Sequence, residues 1–346
     1  MKIAVVTSIV PFVFGGGRNI VEWLAEALRE AGHEVDIIAL PFDESPGRIV
    51  AQMAAFRMID LTDEADLVVC VRPPSYLVQH PRKVLWFLHQ IRPYYDLWDT
   101  EYRGFGDTAV ARARRDMIRR VDDRAFAEAA RVFTISQVVT DRLAMYNGVE
   151  SEVLFPPISN PSSFSSSGYG DEIVAVSRLE HHKRQHLLVE ALGLTKTQVR
   201  LRLIGKGSTP HYGNQLREQA ISLGLGNRVV IEDAWVEEGR KRELINASLA
   251  GAYIPLDEDA YGYPTLESAH ASKAIITASD SGGVLEFVTD GGSGLVVEPT
   301  AEALAEAMDK LWLDRDLAEK LGTGASVRLT ELPISWSHVV DRITSI

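Results

Sequence analysis

The sequence predicts an α/β protein made of two doubly wound, Rossmann-like domains. Three observations lead to this prediction. The chain has 346 residues, which is more than one ordinary hydrophobic core supports. Short β-branched apolar runs alternate with helix-patterned segments, as is typical of a parallel sheet covered on both faces. The alternation stops once, in a segment rich in Pro, Ser and Gly, and then resumes.

Apolar runs in the first half have the length and β-branched content of buried strands. They are KIAVVTSIV, HEVDIIAL, ADLVVCVR, KVLWFLH and ARVFTIS, with helical patterns between them. Because crossovers between parallel strands are right-handed, these runs predict a doubly wound N-terminal domain over residues 1–155. Residues 156–170 are predicted to be an interdomain linker, since they are rich in Pro, Ser and Gly and lack apolar periodicity.

Six further strand-like runs predict a second doubly wound domain over residues 171–333. They are EIVAVSRL, VRLRLIG, RVVIED, LAGAYIPL, KAIITAS and GLVVEP. A final amphipathic helix is expected over residues 334–346, after Pro333. Two domains of this kind place a cleft between the carboxyl ends of two parallel sheets, and ligands bind such folds there.

Composition disfavours several functional classes. The net charge of −12 argues against nucleic-acid binding, which usually needs a basic excess. The single cysteine, Cys70, lies in an apolar strand, so nothing indicates an oxidising compartment or a catalytic thiol. The first apolar run is broken by Thr7, Ser8 and Pro11, which indicates a strand rather than a secretory signal. We expect a cytoplasmic protein, since no apolar run reaches the ~18–20 residues that span a bilayer.

The segment DEDAYGYPTLES, residues 257–268, places Asp259 and Glu267 eight positions apart on either side of a tight turn. Gly262 tolerates backbone conformations that other residues avoid, and Pro264 suits the first turn of a helix. Glu267 is therefore expected in the opening turn of a helix and Asp259 in the loop before it, with both carboxylates facing one point. The pair alone fits either a ligand site or acids that favour the positive end of a helix.

Two cations stand at another predicted strand end. Arg178 and Lys183 follow a strand, and a helix is expected to begin near Lys183. Cations beside a helix N-terminus suit a diphosphate, because the exposed amides and the dipole add to their charge, although two solvated surface cations are equally compatible with these residues. Gly205 in LIGKGS, and Gly282 and Gly283 before a short helix, are positions where backbone can approach a ligand.

The first half offers a glycine loop and a histidine. In VPFVFGGGR, Gly16 and Gly17 let a ligand approach the helix expected to begin near Asn19. The loop is not the dinucleotide fingerprint, because Ile20 stands where G-x-G-x-x-G needs its third glycine, and this disfavours a dehydrogenase. His89 lies at the carboxyl end of an apolar strand, where it would face the cleft, although a lone histidine is more often structural.

Taken in order along the chain, these pieces resemble the retaining glycosyltransferases of family 4, which have the two-Rossmann-domain GT-B fold. The matching pieces are FGGGR, the strand-end His89, VFTIS, SRLxxxK, IGxG, the acid turn YGYPTLE and SGGVLEFVTDGGSG. The resemblance spans nearly the whole chain, and SRLxxxK and the acid turn at their separation are its specific signal. The SWxxxVxR helix, residues 334–346, resembles the helix that returns to the N-terminal domain in such enzymes.

The resemblance implies metal-independent hexosyl transfer from a nucleotide-diphospho-sugar to a hydroxyl acceptor. Arg178 and Lys183 would hold the diphosphate, and Glu267 would accept hydrogen bonds from the ribose hydroxyls. His89 and Asp259 would address the transferred sugar, which makes His89, Asp259, Arg178 and Lys183 the implied catalytic set. The other implied donor contacts are Gly16, Gly17, Gly205, Tyr261, Gly262, Tyr263, Pro264, Thr265, Leu266, Gly282 and Gly283.

The chain departs from the family at Asp259, where the usual residue is Glu. Asp keeps the charge but is one methylene shorter, so we expect activity with a closer loop or a different donor sugar. Glu258 is adjacent but would break the spacing of eight. No metal or other cofactor is expected, because cations and helix amides can neutralise a leaving diphosphate and no tight His/Asp/Glu cluster is evident.

Two groups of residues that could contact the acceptor can each be interpreted in two ways. Tyr94, Tyr95 and Trp98 either form a wall on which an acceptor sugar stacks or pack as a lid with no ligand role. The arginines from Arg112 to Arg120 either contact an anionic acceptor or a lipid headgroup at the inner membrane face, or form a solvated, salt-bridged surface. The sequence names neither the acceptor (a polysaccharide, a lipid-linked oligosaccharide or a natural product) nor the oligomeric state.

Three alternatives stand beside the transferase. A protein that binds a nucleotide sugar without transferring it would be consistent with Asp259. An NAD(P)-dependent two-domain oxidoreductase is disfavoured by Ile20. A periplasmic-type binding protein, also built of two α/β lobes, is disfavoured because no secretory signal is expected.

Overall fold

The structure is a computed structural model that describes residues 1–13 and 15–346. Phe14, part of the predicted glycine loop, lies outside the described residues. The described chain divides into two compact units: unit 1 comprises Met1–Pro157 with Ile334–Ile346, and unit 2 comprises Ile158–Pro333. Within the described residues each unit has its own six-stranded parallel sheet, which confirms the predicted α/β class with two doubly wound sheets.

Parallel strands form the centre of unit 1, and helices cover them. The strands are β1 (Lys2–Ile9), β2 (Glu34–Pro41), β3 (Leu67–Cys70), β4 (Lys83–Phe87), β5 (Arg131–Thr134) and β6 (Glu152–Val153). They lie in the order β2-β1-β3-β4-β5-β6, and neighbouring strands are parallel. The helices between them are α1 (Gly16–Glu30), α2 (Ile49–Arg57), α3 (Ala109–Ala127) and α4 (Gln137–Asn147).

Burial explains why the apolar runs of unit 1 form strands. Every residue of β3 and of β4 is buried, as expected in the middle of a parallel sheet with both faces covered. β2 lies at the sheet edge, and most of its residues are exposed or half-buried. The sequence analysis did not predict β6, because its two residues are ordered by pairing with β5 rather than by a pattern of their own.

Unit 2 repeats this architecture. Its strands are β7 (Glu172–Val176), β8 (Arg200–Ile204), β9 (Val229–Glu232), β10 (Ala250–Ala252), β11 (Ala274–Ala278) and β12 (Gly294–Val297). They lie in the order β12-β11-β10-β7-β8-β9, and neighbouring strands are parallel. Its helices are α5 (Gln185–Leu194), α6 (Pro210–Ser222), α7 (Glu238–Ala247), α8 (Tyr263–His270), α9 (Ala301–Leu313) and α10 (Arg315–Glu331). Each strand run predicted for the second half is present.

The first helix begins earlier than the sequence analysis predicts. α1 begins at Gly16 rather than near Asn19, because the amides of Arg18 and Asn19 both bond the Gly15 carbonyl, at 2.9 and 3.1 Å. Gly16 and Gly17 therefore belong to the first turn instead of the loop.

The segment predicted as a linker follows a fixed path on unit 2. From Ile158 onward it belongs to that unit. The Tyr169 hydroxyl donates to the Ser272 carbonyl at 2.9 Å, and the ammonium of the buried Lys273 lies 4.3 Å from the centre of the Tyr169 ring. The composition rich in Pro, Ser and Gly therefore marks irregular backbone that is nonetheless tied down.

The last helix, α11 (Trp336–Thr344), belongs to unit 1. Its Trp336 indole meets the buried Trp86 edge-on, with ring centres 6.1 Å apart. Arg342 forms an ion pair with Glu152 of β6 at 2.5 Å. The helix thus closes one side of a sheet whose strands all lie in the first half of the chain.

A buried carboxyl connects three segments of unit 1. Asp122 of α3 is buried and accepts hydrogen bonds from the Tyr76 hydroxyl at 2.9 Å and the Tyr95 hydroxyl at 2.7 Å. Tyr76 follows β3 and Tyr95 follows β4, so the carboxyl holds both strand-end segments against α3. Burial raises the pKa of Asp122 to about 7, although the two hydroxyl donors act to lower it.

We predict that Asp122→Asn flattens the pH dependence of stability between pH 4 and 7. The carboxyl has a folded pKa of about 7 against an ordinary value of 3.8, so the folded state binds this proton more tightly. The corresponding stabilisation is complete below about pH 4 and is lost as pH rises through 7, and it amounts to about 4 kcal/mol. Urea unfolding of both proteins across this range measures it. A difference between the two proteins that stays constant with pH would contradict the prediction.

Candidate functional site

Loops at one edge of the unit 2 sheet carry most of the residues that the sequence analysis singles out. Four strands that are consecutive in the sheet, β11, β10, β7 and β8, are parallel, so their carboxyl ends lie at the same edge. We call this the carboxyl edge of unit 2. The loops that leave it are residues 279–281, 253–262, 177–184 and 205–209.

Lys183 is held by two side chains of the loop that follows β10. Its ammonium donates to the Tyr253 hydroxyl at 3.0 Å and forms an ion pair with Glu258, and the lysine side chain is 10% exposed. Burial acts to lower the pKa of Lys183, but Tyr253 and Glu258 outweigh it and raise that pKa. Burial acts to raise the pKa of the half-buried Glu258, but Lys183 outweighs it and lowers that pKa. Both groups are therefore charged at neutral pH.

Glu258 is thus an acid of this loop that contacts Lys183. The sequence analysis set Glu258 aside because of its spacing from Glu267, and spacing along the chain did not show which acid reaches the lysine. Asp259 lies in the same loop and is half-buried.

Arg178 is the more accessible of the two predicted phosphate cations. Its side chain is 43% exposed and reaches Glu180 at 3.8 Å, a distance that leaves the pair largely solvated. Glu180 in turn accepts a hydrogen bond from the Ser208 amide at 2.9 Å. The guanidinium can therefore turn toward an anion without breaking a buried ion pair.

Glu267 lies one turn inside α8, which begins at Tyr263. Its carboxyl is buried, and Oε1 accepts a hydrogen bond from the Lys241 ammonium at 2.6 Å. Across the part of the chain that the structure describes, Oε2 has no hydrogen-bond partner. Burial raises the pKa of Glu267, and Lys241 partly offsets this. Because Glu267 lies beyond the first turn, the interpretation as an acid that merely favours the helix start does not fit.

Gly282 and Gly283 have a structural role that the sequence analysis missed. The Gly283 amide donates to the Glu258 carbonyl at 2.8 Å. This amide is therefore not free to bind an anion, whereas the sequence analysis expected it to be open to a ligand. A Cβ on Gly283 would lie 2.6 Å from the Cα of Ala260. The two glycines therefore let the backbone of the 257–260 loop lie directly on this turn.

The remaining predicted donor contacts lie at the same edge with varied exposure. The Gly205 amide bonds the Glu232 carbonyl at 3.1 Å, and a Cβ at Gly205 would overlap the Ser177 carbonyl. Three residues of the acid turn are buried, namely Tyr261, Thr265 and Leu266. Three are half-buried, namely Gly262, Tyr263 and Pro264.

The predicted residues of unit 1 lie at the carboxyl ends of its own sheet. His89 follows β4 and is half-buried, and its Nδ1 lies 2.6 Å from the Gln90 carbonyl oxygen. A carbonyl only accepts hydrogen bonds, so Nδ1 carries a proton and Nε2 is the acceptor in the neutral ring. Gly16 is exposed and Gly17 half-buried at the start of α1, where the Arg72 side chain lies against Gly17.

The aromatic residues after His89 pack as a lid, not as an acceptor wall. Tyr94, Tyr95 and Trp98 are at most 4% exposed, so no sugar can stack on them in this arrangement. The Arg115 guanidinium lies 4.5 Å from the centre of the Trp98 ring. This corrects the interpretation of the three as acceptor contacts, which composition alone could not separate from packing.

The arginines of α3 have mixed surroundings. Arg119 lies over the Tyr95 ring at 5.1 Å, and Arg115, which covers Trp98, donates to the Tyr94 carbonyl at 3.1 Å. Arg112 is exposed and pairs with Asp107 at 3.1 Å. The run from Arg112 to Arg120 is therefore partly a cover for the aromatic lid.

Metal-ion clusters and membrane-spanning helices are both absent from the described residues. Residues 1–13 and 15–346 hold no cluster of three or more His, Cys, Asp or Glu side chains suited to a metal ion. Among the helices that the structure describes, none is both long and apolar enough to cross a bilayer.

Known proteins resemble the chain in sequence. Residues 164–328, nearly all of unit 2, match the model of the family described as glycosyl transferases group 1. Residues 164–328 therefore resemble a glycosyl transferases group 1 domain. Alpha-maltose-1-phosphate synthase of Mycolicibacterium smegmatis is 29% identical over 216 residues, which cover 58% of this chain and 54% of that protein. This chain therefore spans about half the length of that relative. Alpha-1,3/1,6-mannosyltransferase ALG2 of Homo sapiens is 24% identical over 327 residues, which cover 82% of this chain and 76% of that protein.

Solved structures extend the likeness in fold to the whole chain. The crystal structure of Anabaena Alr3699/HepE in complex with UDP superposes with a TM-score of 0.74 and 16% identity, covering 100% of this chain and 99% of that one. This confirms the predicted GT-B fold.

Arg184 is a residue of the family segment that the sequence analysis missed. It has φ +56°, a left-handed conformation that few residues other than Gly adopt readily. Its guanidinium holds both carboxylate oxygens of Asp280 at 2.8 and 2.6 Å, and it donates to the carbonyls of Ile254 and Pro255 at 2.8 and 2.9 Å. These contacts tie the loops after β7, β10 and β11 together. Its place directly after the Lys183 of SRLxxxK was the available signal.

We predict that Gly282→Ala destabilises unit 2 by about 2–4 kcal/mol and displaces the 257–260 loop. The glycine has φ +59°, and an added Cβ would lie 2.5 Å from the Glu258 carbonyl oxygen. The strained conformation and the overlap both add to the cost. Urea unfolding measures the loss.

Gly291→Ala is the matched control. Gly291 has φ +67°, but a Cβ there would meet nothing within 4 Å. It therefore carries the conformational cost alone, about 1 kcal/mol. Equal losses for the two variants would show that the loop does not press on Gly282.

Proposed function

We propose that the chain is a retaining, metal-independent hexosyltransferase that moves a sugar from a nucleotide-diphospho-sugar to a hydroxyl acceptor. The match to the glycosyl transferases group 1 family supports transferase chemistry, and the name of the Homo sapiens relative, a mannosyltransferase, supports a hexose. The Anabaena structure is a complex with UDP, which supports a nucleotide donor. The retaining outcome rests on the resemblance in sequence motifs.

The observation that carries the proposal is the unpartnered, buried carboxylate oxygen of Glu267. In the described chain Oε2 has no partner, although burying an acceptor without a hydrogen bond is costly. The hydroxyls of a ribose are donors of the kind that it lacks. Lys183 and Arg178 lie on the same carboxyl edge and supply positive charge for a diphosphate.

These cations support the proposal of chemistry without a metal. A leaving diphosphate develops negative charge, and fixed cations and helix amides stabilise it in place of an ion. Lys183 is charged and packs half-buried against Glu258, so the diphosphate would share or replace the contact that Glu258 now makes.

A protein that binds a nucleotide sugar without transferring it is the second candidate. Asp259 is shorter than the usual Glu, and the Gly283 amide is already bonded to the Glu258 carbonyl. Both features would weaken contacts to the transferred sugar and leave contacts to the nucleotide unchanged. Asp259 therefore decides between the two functions.

The other expectations stay predictions. They are the roles of His89, Gly16 and Gly17 in sugar and phosphate contacts, a cytoplasmic location, and a weak peripheral membrane contact through Arg112–Arg120. The acceptor is a carbohydrate or another hydroxyl compound.

We predict that one of UDP, GDP, ADP and dTDP raises the thermal unfolding temperature in the presence of EDTA. A ligand at 100 times its Kd adds about 2.7 kcal/mol, which thermal unfolding detects readily. Arg178→Ala, and the double variant Arg178→Ala/Lys183→Ala more strongly, are expected to lose this shift because the diphosphate loses its cations.

Lys196→Ala/Arg200→Ala is the matched control for the loss of two cations. Both residues are exposed, and Arg200 begins β8, at the opposite edge of the same sheet. The control is expected to keep the full shift. No shift with any of the four nucleotides, or an equal shift in the Arg178→Ala/Lys183→Ala variant, would remove the donor-site proposal.

We predict that Asp259→Asn lowers kcat by about 10²-fold or more, whereas Asp259→Glu stays within about tenfold of the wild type. The carboxylate charge stabilises the developing positive charge on the sugar, and a neutral amide does not. Release of nucleoside diphosphate from the donor sugar measures the rate, and proton NMR of the product gives its anomeric configuration. A wild type that binds nucleotide but transfers nothing, even as Asp259→Glu, would favour the binding protein.

A further inference from the structure

Lys241 stands outside every motif that indicates the family, yet it contacts the acid that carries the proposed function. It lies on α7 in the run EEGRKREL, and its side chain is 14% exposed. Its ammonium lies 2.6 Å from Oε1 of the buried Glu267 and 2.9 Å from Oε2 of Glu238, whose side chain is 58% exposed. The lysine therefore reaches from the surface of α7 into the carboxyl edge of unit 2.

The contact divides the two oxygens of Glu267 between two roles. Oε1 is occupied by Lys241, and Oε2 is buried without a partner within the described residues. A carboxylate pinned at one oxygen cannot rotate freely, so the direction of the other oxygen is determined. This is the arrangement expected of an acceptor oriented in advance for a ligand donor.

We propose that Lys241 is a positioning residue for nucleotide binding, which holds the Glu267 carboxylate so that Oε2 meets the ribose hydroxyls. The inference rests on the proposed function, since it names the residue that prepares the same site. Lys241 itself touches neither the nucleotide nor the sugar.

Charge explains why a lysine serves here. A buried carboxylate without a cation takes up a proton, and a protonated oxygen no longer accepts hydrogen bonds from two hydroxyls. Burial raises the pKa of Glu267, and Lys241 lowers it. Removal of the ammonium therefore lets the pKa of Glu267 rise further, so that nucleotide binding weakens at a higher pH than in the wild type.

Besides Lys241, two titratable side chains of the described residues interact electrostatically with Glu267. Glu238 of α7 raises the pKa of Glu267, and Tyr263 of α8 has a pKa raised by burial and by Glu267. β10 and β11, which pack on α8, consist of Ala, Gly, Ile and Thr. α10 meets the end of α8 through Ser326, whose hydroxyl donates to the Ala269 carbonyl at 2.7 Å.

The test measures nucleotide-sugar affinity against pH for the wild type, Lys241→Met and Lys241→Arg. The probes are UDP-glucose, GDP-mannose, ADP-glucose and dTDP-glucose, of which the one bound by the wild type is used, because their diphosphate diesters keep a constant charge from pH 5 to 9. Lys241→Met is expected to weaken binding at pH 7 at least about tenfold and to move the midpoint upward by at least about one pH unit. Lys241→Arg keeps the charge and is expected to restore most of the affinity.

Glu238→Gln is the matched control on the same helix. It removes a like charge from Glu267 and is expected to move the midpoint downward. Lys241→Gln supplies a second test if Lys241→Met does not fold, since the amide still donates a hydrogen bond but carries no charge. It is expected to show the upward shift in midpoint as well.

Glu267→Gln separates a positioning role from a structural or a direct one. In that background Lys241→Met is expected to change affinity less than about twofold, because the group on which it acts no longer titrates. An equal loss with and without Glu267, or a midpoint unmoved in Lys241→Met and Lys241→Gln, would overturn the inference while leaving the proposed function in place. A wild type that binds none of the four probes would overturn the proposed function itself.

Discussion

The hydrogen-bonded ladder of parallel strands in unit 2 is the constraint on which the candidate site depends. It brings the carboxyl ends of β11, β10, β7 and β8 to one edge, so loops from distant parts of the chain meet there. Lys183 and Glu258 are 75 positions apart in sequence, yet they form an ion pair. The helices that follow these strands begin at the same edge, and their positive ends add to the field of the cations. The topology therefore gathers cationic side chains and helix N-termini at one edge of the sheet.

Opposite charges are already paired at this edge. Lys183 contacts Glu258, Arg184 contacts Asp280, and Lys241 contacts Glu267. Removing one member of such a partly buried pair costs several kcal/mol, because the other is left without compensation. The loops are thus held in one arrangement before a ligand arrives. Any anion that binds Lys183 would have to compete with Glu258 for its ammonium group.

The sequence predicted the architecture well because parallel strands buried on both faces are nearly continuous apolar runs. β11 is apolar except for one threonine and is fully buried, so its run was recognisable without any neighbour. Contacts between segments left no such pattern. The bond from the Gly283 amide to the Glu258 carbonyl depends on how a loop lies on a turn, and glycine composition does not show it. Lys241 lies in a strongly charged helix with little apolar periodicity, and its contact with Glu267, 26 positions away, depends on helix packing.

The return of α11 to unit 1 has a consequence for synthesis on the ribosome. The strands of unit 1 end at Val153, but the helix that covers Trp86 begins at Trp336. About 180 residues, which take roughly 10–40 s to translate, separate the two. During that time the apolar surface around Trp86 lacks its final cover. Unit 1 is begun first, yet it cannot complete its fold until all of unit 2 has been made.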